Sequence, residues 1–232
     1  MIREIFMNVP MMLVLTIGSY LLGLWVKQKS RLSLLHPFLI CIPVIISILT
    51  ILDIPCDFYM EGNKMIEFML GPSVVALGLL LYDHIGTIRK NMLSILVSVS
   101  VGSLTGIGSV YLLCRIFSLD DMFIKSLEPK SVTTPIAMDL SAILGGNISL
   151  TAVSVVLCGF IGAVFGPLVL KLFHIRTPVA RGLAMGCAAH GLGTSRAIEN
   201  SAIEGAVSGL AIALMGLATA VFTPLFNLLF PL

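Results

Sequence analysis

Apolar residues run along this chain in long blocks, separated by short polar punctuation rather than alternating with it. Asp, Glu, Lys and Arg are absent from Ile5–Val26, Leu32–Leu52, Phe68–Tyr82, Asn91–Cys114, Leu140–Leu170 and Gly205–Leu232. A helix rises 1.5 Å per residue, so about 20 apolar residues cross roughly 30 Å of hydrocarbon. Most of these blocks reach that length. The pattern predicts hydrophobic helical segments at about 6–26, 35–52, 66–82, 91–116, 127–143, 148–173, 183–198 and 204–230. Two stretches break it: Leu127–Asp139 and Gly186–Glu199 are polar and marked by Gly or Pro inside apolar surroundings.

The connections are short, which predicts a single transmembrane domain over residues 1–232. The predicted class is an all-α, polytopic integral membrane protein of seven or eight hydrophobic segments, two or three of them broken or re-entrant. Lys and Arg concentrate in cytoplasmic loops. The basic loops at Lys27, Lys29 and Arg31 and at Arg89 and Lys90 share a side if 35–52 and 66–82 both cross. The cluster Lys171, Arg176 and Arg181 joins them only if 127–143 enters and leaves by the same face. Internal similarity adds a second hint. Leu70-Gly-Pro-Ser-Val-Val and Leu127-Glu-Pro-Lys-Ser-Val lie 57 residues apart, as do Gly102 and Gly159. Such a structural repeat is common in transporters, whose binding sites form at interrupted helices.

Composition agrees with the pattern. Charged residues make up 11% of the 232, against about a quarter in soluble domains. A net charge of +2 with no basic run gives no support for a nucleic-acid partner. Cys41, Cys114, Cys158 and Cys187 lie in apolar segments and Cys56 in a loop, without a CxxC pair, so they read as small apolar fillers. Arg3 before an apolar run looks like the start of a signal peptide. No small-residue cleavage pattern follows, and a retained first helix is expected.

The first polar stretch reads Ser126-Leu-Glu-Pro-Lys-Ser-Val-Thr-Thr-Pro-Ile-Ala-Met-Asp139. Pro129 and Pro135 each remove a backbone donor and interrupt the helical ladder. The freed groups must be buried in protein or line a wet cavity. Ionisable side chains there are costly, which makes Glu128 and Lys130 functional candidates beside Ser131, Thr133 and Thr134. The competing reading is a short solvated loop.

The second stretch, Arg181-Gly-Leu-Ala-Met-Gly-Cys-Ala-Ala-His-Gly-Leu-Gly-Thr-Ser-Arg196, is dense in Gly and Ala, which let helices approach closely. Gly191 and Gly193 are placed to end one half-helix, with Thr194 and Ser195 as caps for the next. The restarted N-terminus would face an anion, and Arg196 would offer a two-pronged donor. His190 is a candidate for proton coupling, as is Glu128. The competing reading is a helix-packing surface with a buried, satisfied histidine. A third element, Gly71-Pro72-Ser73, lacks charge and is expected, with Pro129 and Pro135, to shape a cavity. No Ser/His/Asp set, HExxH, Walker loop or cofactor motif is present, so no enzyme activity, cofactor or metal is expected.

The runs Leu127–Ala137, Arg181–Ala197 and Leu70–Leu77 resemble the LrgB/CidB family, and the resemblance extends over the whole chain. That family includes antiholin- or holin-like regulators of murein hydrolase activity and autolysis, and the matching domain of the plastidial glycolate/glycerate translocator of plants. The resemblance implies a multi-pass protein of the bacterial cytoplasmic (inner) membrane. It also implies a small LrgA/CidA-like membrane partner and transport of small carboxylates such as glycolate, glycerate or pyruvate. A homodimer is a reasonable expectation, since oligomers are commonly two-fold symmetric. Transport by alternating access is the first expectation, with substrate held by Lys130, Ser131, Thr133, Thr134, His190, Gly191, Gly193, Thr194, Ser195 and Arg196. A holin/antiholin-like regulator is the alternative. A lesion-forming assembly needs a polar helix face repeated at helical spacing, whereas a transporter needs localised, broken polar sites, and the chain has the second pattern.

Overall fold

The computed structural model describes residues 8–30 and 37–230. Arg3 and Arg31, and the outer residues of the first two predicted segments, lie outside them. The described residues form helices and no strand: α1 (Val9–Ser30), α2 (Phe38–Ile51), α3 (Cys56–Gly62), α4 (Lys64–Phe68), α5 (Leu70–Asp83), α6 (Ile85–Lys90), α7 (Met92–Ile116), α8 (Asp121–Leu127), α9 (Thr134–Leu144), α10 (Ile148–Leu172), α11 (Pro178–Asn200) and α12 (Ala202–Leu229). A one-turn 3-10 helix, Glu128–Ser131, joins α8 to α9. Five stretches are long and apolar enough to cross a membrane: α1, Lys64–Asp83, α7, α10 and α12. The chain is a multi-pass membrane protein. Apolar side chains that a soluble fold would hide, such as Val153, Leu157, Ile161, Phe165 and Leu168 along α10, face outward.

The chain divides into two compact units, 1–76 and 77–232. In the first, α1 packs on α2 and α3 through small residues. A Cβ on Gly23 would lie 2.6 Å from the Pro37 carbonyl oxygen, and one on Gly62 would lie 2.4 Å from Met12 Cβ. Hydroxyl contacts join Thr16 to Tyr59 at 2.8 Å and Ser19 to the Cys41 thiol at 3.1 Å.

The second unit is built from spans and hairpins. α6 and the start of α7 pack with the starts of α11 and α12, since Ile88 of α6 and Ile95 of α7 share one core with Leu183 and Val207. The end of α7 meets the end of α12, where Tyr111 packs on Phe226 and Phe230. Hence α7 and α12 run parallel. Half of the most apolar window of α12 is buried against 22% of that of α10, which makes α12 the central span and α10 a peripheral one.

Between α7 and α10 the chain enters and returns on the same side. The Ser126 carbonyl accepts from the Thr151 hydroxyl at 2.9 Å, the Asn147 amide donates to Ser126 Oγ at 2.7 Å, and Gly146 packs on the backbone of Lys125 and Ser126. Both ends of this segment therefore sit at the start of α10. Its tip reaches the middle of the neighbouring spans, with Ile136 against Gly216 of α12 and Ser131 beside Gly106 of α7. Pro129 and Pro135 cause the shape: neither can donate into a continuing ladder, and Val132 and Thr133 between them are extended. Gly145 (φ 80) then ends α9, and Asn147 caps α10 by accepting from the Leu150 amide.

α11 is a second hairpin. Gly182 and Gly186 pack on Glu204 and Ser208 of α12 in parallel order. Then Thr194 pairs with Ser208 and Ile198 packs on Gly205 in the reverse order. One straight helix cannot make both sets. The reversal falls at His190, which has φ 36 and ψ −124. Because α10 crosses once between the two hairpins, they open toward opposite ends of the bundle.

The hairpin-plus-span unit occurs twice. Pro178 follows Asp121 by 57 residues, Leu229 follows Leu172 by 57, and the tip residue His190 follows Thr133 by 57. Pro167 inside α10 and Pro224 inside α12 keep the same interval. Each copy contains one crossing, so the second is inverted relative to the first. The expected interval of 57 is thus a structural repeat, and Gly102, Gly159 and Gly216 all fall on it.

Candidate functional site

Each of the two polar stretches forms the bend of one hairpin. Cα atoms of the Glu128–Ser131 turn come within 8 Å of those of α11, and equally of those of α7 and α12. The candidate site therefore draws on the first bend, the second hairpin and the spans α7, α10 and α12.

On the first hairpin, Glu128, Pro129 and Ser131 are buried, while Lys130, Thr133 and Thr134 are half-buried and Pro135 is exposed. Lys130 has no ion-pair partner among the described residues. α9 begins here, at mid-bundle depth, with Pro135 in its first turn. The opening amides of a helix have no partner within it and form its positive end. A cation, three hydroxyls and a helix N-terminus thus gather around one bend.

On the second hairpin, His190 is 8% exposed, and its Nε2 lies 3.0 Å from the Val155 carbonyl of α10. The ring fits because Gly159 has no side chain: a Cβ there would stand 2.4 Å from His190 Cε1. A non-glycine residue at φ 36 costs of order 1–3 kcal/mol, which the packing around it must offset. The break falls one residue earlier than the glycines suggested. Gly191 is exposed just past the bend, and Gly193 lies on the return arm, where a Cβ would stand 2.2 Å from the Met185 carbonyl oxygen. Gly193 lets the two arms touch rather than ending a helix.

Thr194 is not a cap: it is buried and shares a 2.7 Å hydroxyl pair with Ser208. Ser195 is exposed. Arg196 lies further along the return arm, 27% exposed and paired with Glu199. At the end of the bundle where α11 opens, Arg181 holds Glu204 at 2.8 Å, with Asn200 on the other carboxylate oxygen at 3.0 Å. A cleft there carries Lys171, His174, Arg176 and Arg181. Gly71, Pro72 and Ser73 are exposed at the start of α5, where Ser73 Oγ donates to the Met69 carbonyl at 2.8 Å.

Sequence reasoning missed the partners. Asn227 Nδ2 donates to Glu128 Oε2 at 2.9 Å, and Ser103 pairs with Thr219 at 3.0 Å. The available signal was the spacing of Thr219, Thr223 and Asn227. They recur every fourth residue in an apolar span, which puts their polar groups along one helix face.

The model of the LrgB-like family matches residues 16–229. Relatives at comparable length include YwbG of Bacillus subtilis (strain 168), 36% identical over 91% of this chain and 94% of that protein. An uncharacterized protein of Haemophilus influenzae is 35% identical over 90% and 91%. The antiholin-like protein LrgB of Bacillus mycoides is 31% identical over 92% and 94%. No solved structure matches the chain. With the match running from the first helix to the last and taking in both hairpin bends, the chain belongs to the LrgB-like family.

Proposed function

We propose that this protein is a secondary transporter of small organic anions, glycolate, glycerate or pyruvate among them, working by alternating access in the bacterial cytoplasmic membrane. The observation that carries the reading is the pair of oppositely opening hairpins, each broken at mid-depth, with the Glu128–Ser131 turn of one within 8 Å of the other. Inverted repeats with broken helices at the membrane centre are the architecture of many secondary transporters, because two inverted copies can exchange conformations to open first one side and then the other. A small monocarboxylate needs one fixed cation, backbone amides and hydroxyl donors. Lys130, the first amides of α9, Ser131, Thr133 and Thr134 supply that set, and Thr194 and His190 stand on the other hairpin. Arg196, engaged with Glu199, is better placed to admit the anion along the return arm than to hold it.

The test is uptake by reconstituted vesicles. Replacing a charge-assisted contact removes about 1.5–3 kcal/mol, so Lys130→Ala is expected to weaken carboxylate affinity by roughly 10- to 100-fold while the protein still folds. Unchanged saturable uptake in Lys130→Ala would remove Lys130 from the site. The second reading, an antiholin-like regulator of murein hydrolase activity, is favoured by the name carried by the relatives from Bacillus. It predicts vesicle leakage without preference among solutes of similar size.

A further inference from the structure

Anchored in the first polar stretch but away from the hairpin tip, one polar cluster has no role in holding an anion. Glu128 is 2% exposed, and no cationic side chain among the described residues pairs with it. Asn227 Nδ2 donates to Oε2, while Glu128 Oε1, Asn227 Oδ1 and the hydroxyl of fully buried Thr223 have no hydrogen-bond partner among the described residues. Thr223 and Asn227 are one turn apart on α12, which puts the threonine hydroxyl and the amide that holds Glu128 on one face of that helix. Native folds leave few such groups, each costing about 1–3 kcal/mol and more for a charge.

The repeat shows that the fold itself does not require them. Shifting by 57 residues carries Glu128 to Met185, Thr223 to Gly166 and Asn227 to Leu170. In the second copy those residues also meet: Met185 Sδ sits on Gly166, and Met185 and Leu170 share a buried apolar cluster. The same structural position is thus filled once by methionine and leucine and once by carboxylate, amide and hydroxyl. Apolar replacements of buried ionic groups are commonly neutral or stabilising, so a purely architectural role would have been served by the first solution.

We infer that Glu128, Asn227 and Thr223 form a binding site for a dehydrated monovalent cation, Na⁺. All three orphaned groups are oxygens, the donors a hard cation takes, and one negative charge matches one positive charge. A proton on Glu128 satisfies at most the carboxylate and the amide oxygen and leaves Thr223 orphaned, and a water molecule leaves the charge unpaired. The site also stands at the end of α7 and α12 opposite Arg89, Lys90, Lys171, Arg176 and Arg181. That end is the outer face by the distribution of basic residues, where Na⁺ is abundant. Its use as a coupling ion rests on the transporter reading; the binding does not.

The experiment is thermal unfolding of the purified full-length protein in chloride salts of Na⁺, K⁺ and choline at fixed ionic strength, at two pH values, with radioactive sodium binding alongside. Na⁺ is expected to raise the midpoint by several degrees over K⁺ and choline, saturably, with one sodium bound per chain. Glu128→Gln is expected to lose both effects. Glu128→Met, which copies the second repeat, is expected to fold and unfold identically in all three salts. Equal midpoints in Na⁺ and K⁺ for the unmutated protein overturn the inference, including the case in which only pH moves them. A sodium shift that survives in Glu128→Met overturns it too. Sodium binding without carboxylate uptake in vesicles would support the site while overturning the transporter reading.

Discussion

At the scale of single residues, the second hairpin depends on one steric exchange: His190 occupies the space that Gly159 leaves. Gly159→Ala forces the ring off the Val155 carbonyl, and overpacking of this kind costs about 1–3 kcal/mol. His190→Gly gives up the hydrogen bond but tolerates φ 36 without strain. The two substitutions address one contact, so the double variant is expected to lose less stability than the sum of the singles. Chemical unfolding in detergent measures this, and strict additivity would show that the ring and the glycine do not depend on each other. The sequence marked His190 as an intramembrane ionisable residue, but not its partner. Gly159 was visible only as half of a repeated pair, because a glycine's use depends on what approaches it in space.

At the scale of elements, the spans were legible because length and hydropathy alone define them, and the predicted 148–173 became Ile148–Leu172. The first hairpin was legible too. Two prolines interrupt it, and the basic loops agree on a side only if it returns. The second was only partly so: its break lies at a histidine in a positive-φ conformation that no residue preference announces, and its glycines serve arm-to-arm contact instead. The hairpins give a direct topological prediction. In a background with the native cysteines replaced, Asp120→Cys and Asn147→Cys are expected to react with an impermeant thiol reagent from one side of sealed vesicles. His174→Cys should react only from the other. Labelling of Asp120→Cys and Asn147→Cys from opposite sides would mean that α8 to α9 crosses. Within the same element, Thr151 ties the hairpin shut through Ser126 and Ser141, and Thr151→Val leaves both without that partner. Hydrogen bonds between membrane helices average near 0.6 kcal/mol, so a loss of about 1 kcal/mol is expected in the same unfolding assay.

At the scale of the molecule, two copies of one hairpin-and-span unit point in opposite directions, and the turn of the first hairpin touches the second hairpin and the spans α7, α10 and α12. A chain with this form presents one broken hairpin to each side of the membrane, which a regulator acting by lateral assembly does not need. The most direct measurement is uptake of labelled glycolate, lactate and pyruvate into vesicles containing only this protein, against a neutral solute of similar size. The account predicts saturable carboxylate uptake in which each acid competes with the others, and no entry of the neutral solute. Linear entry of acid and neutral solute alike would contradict it.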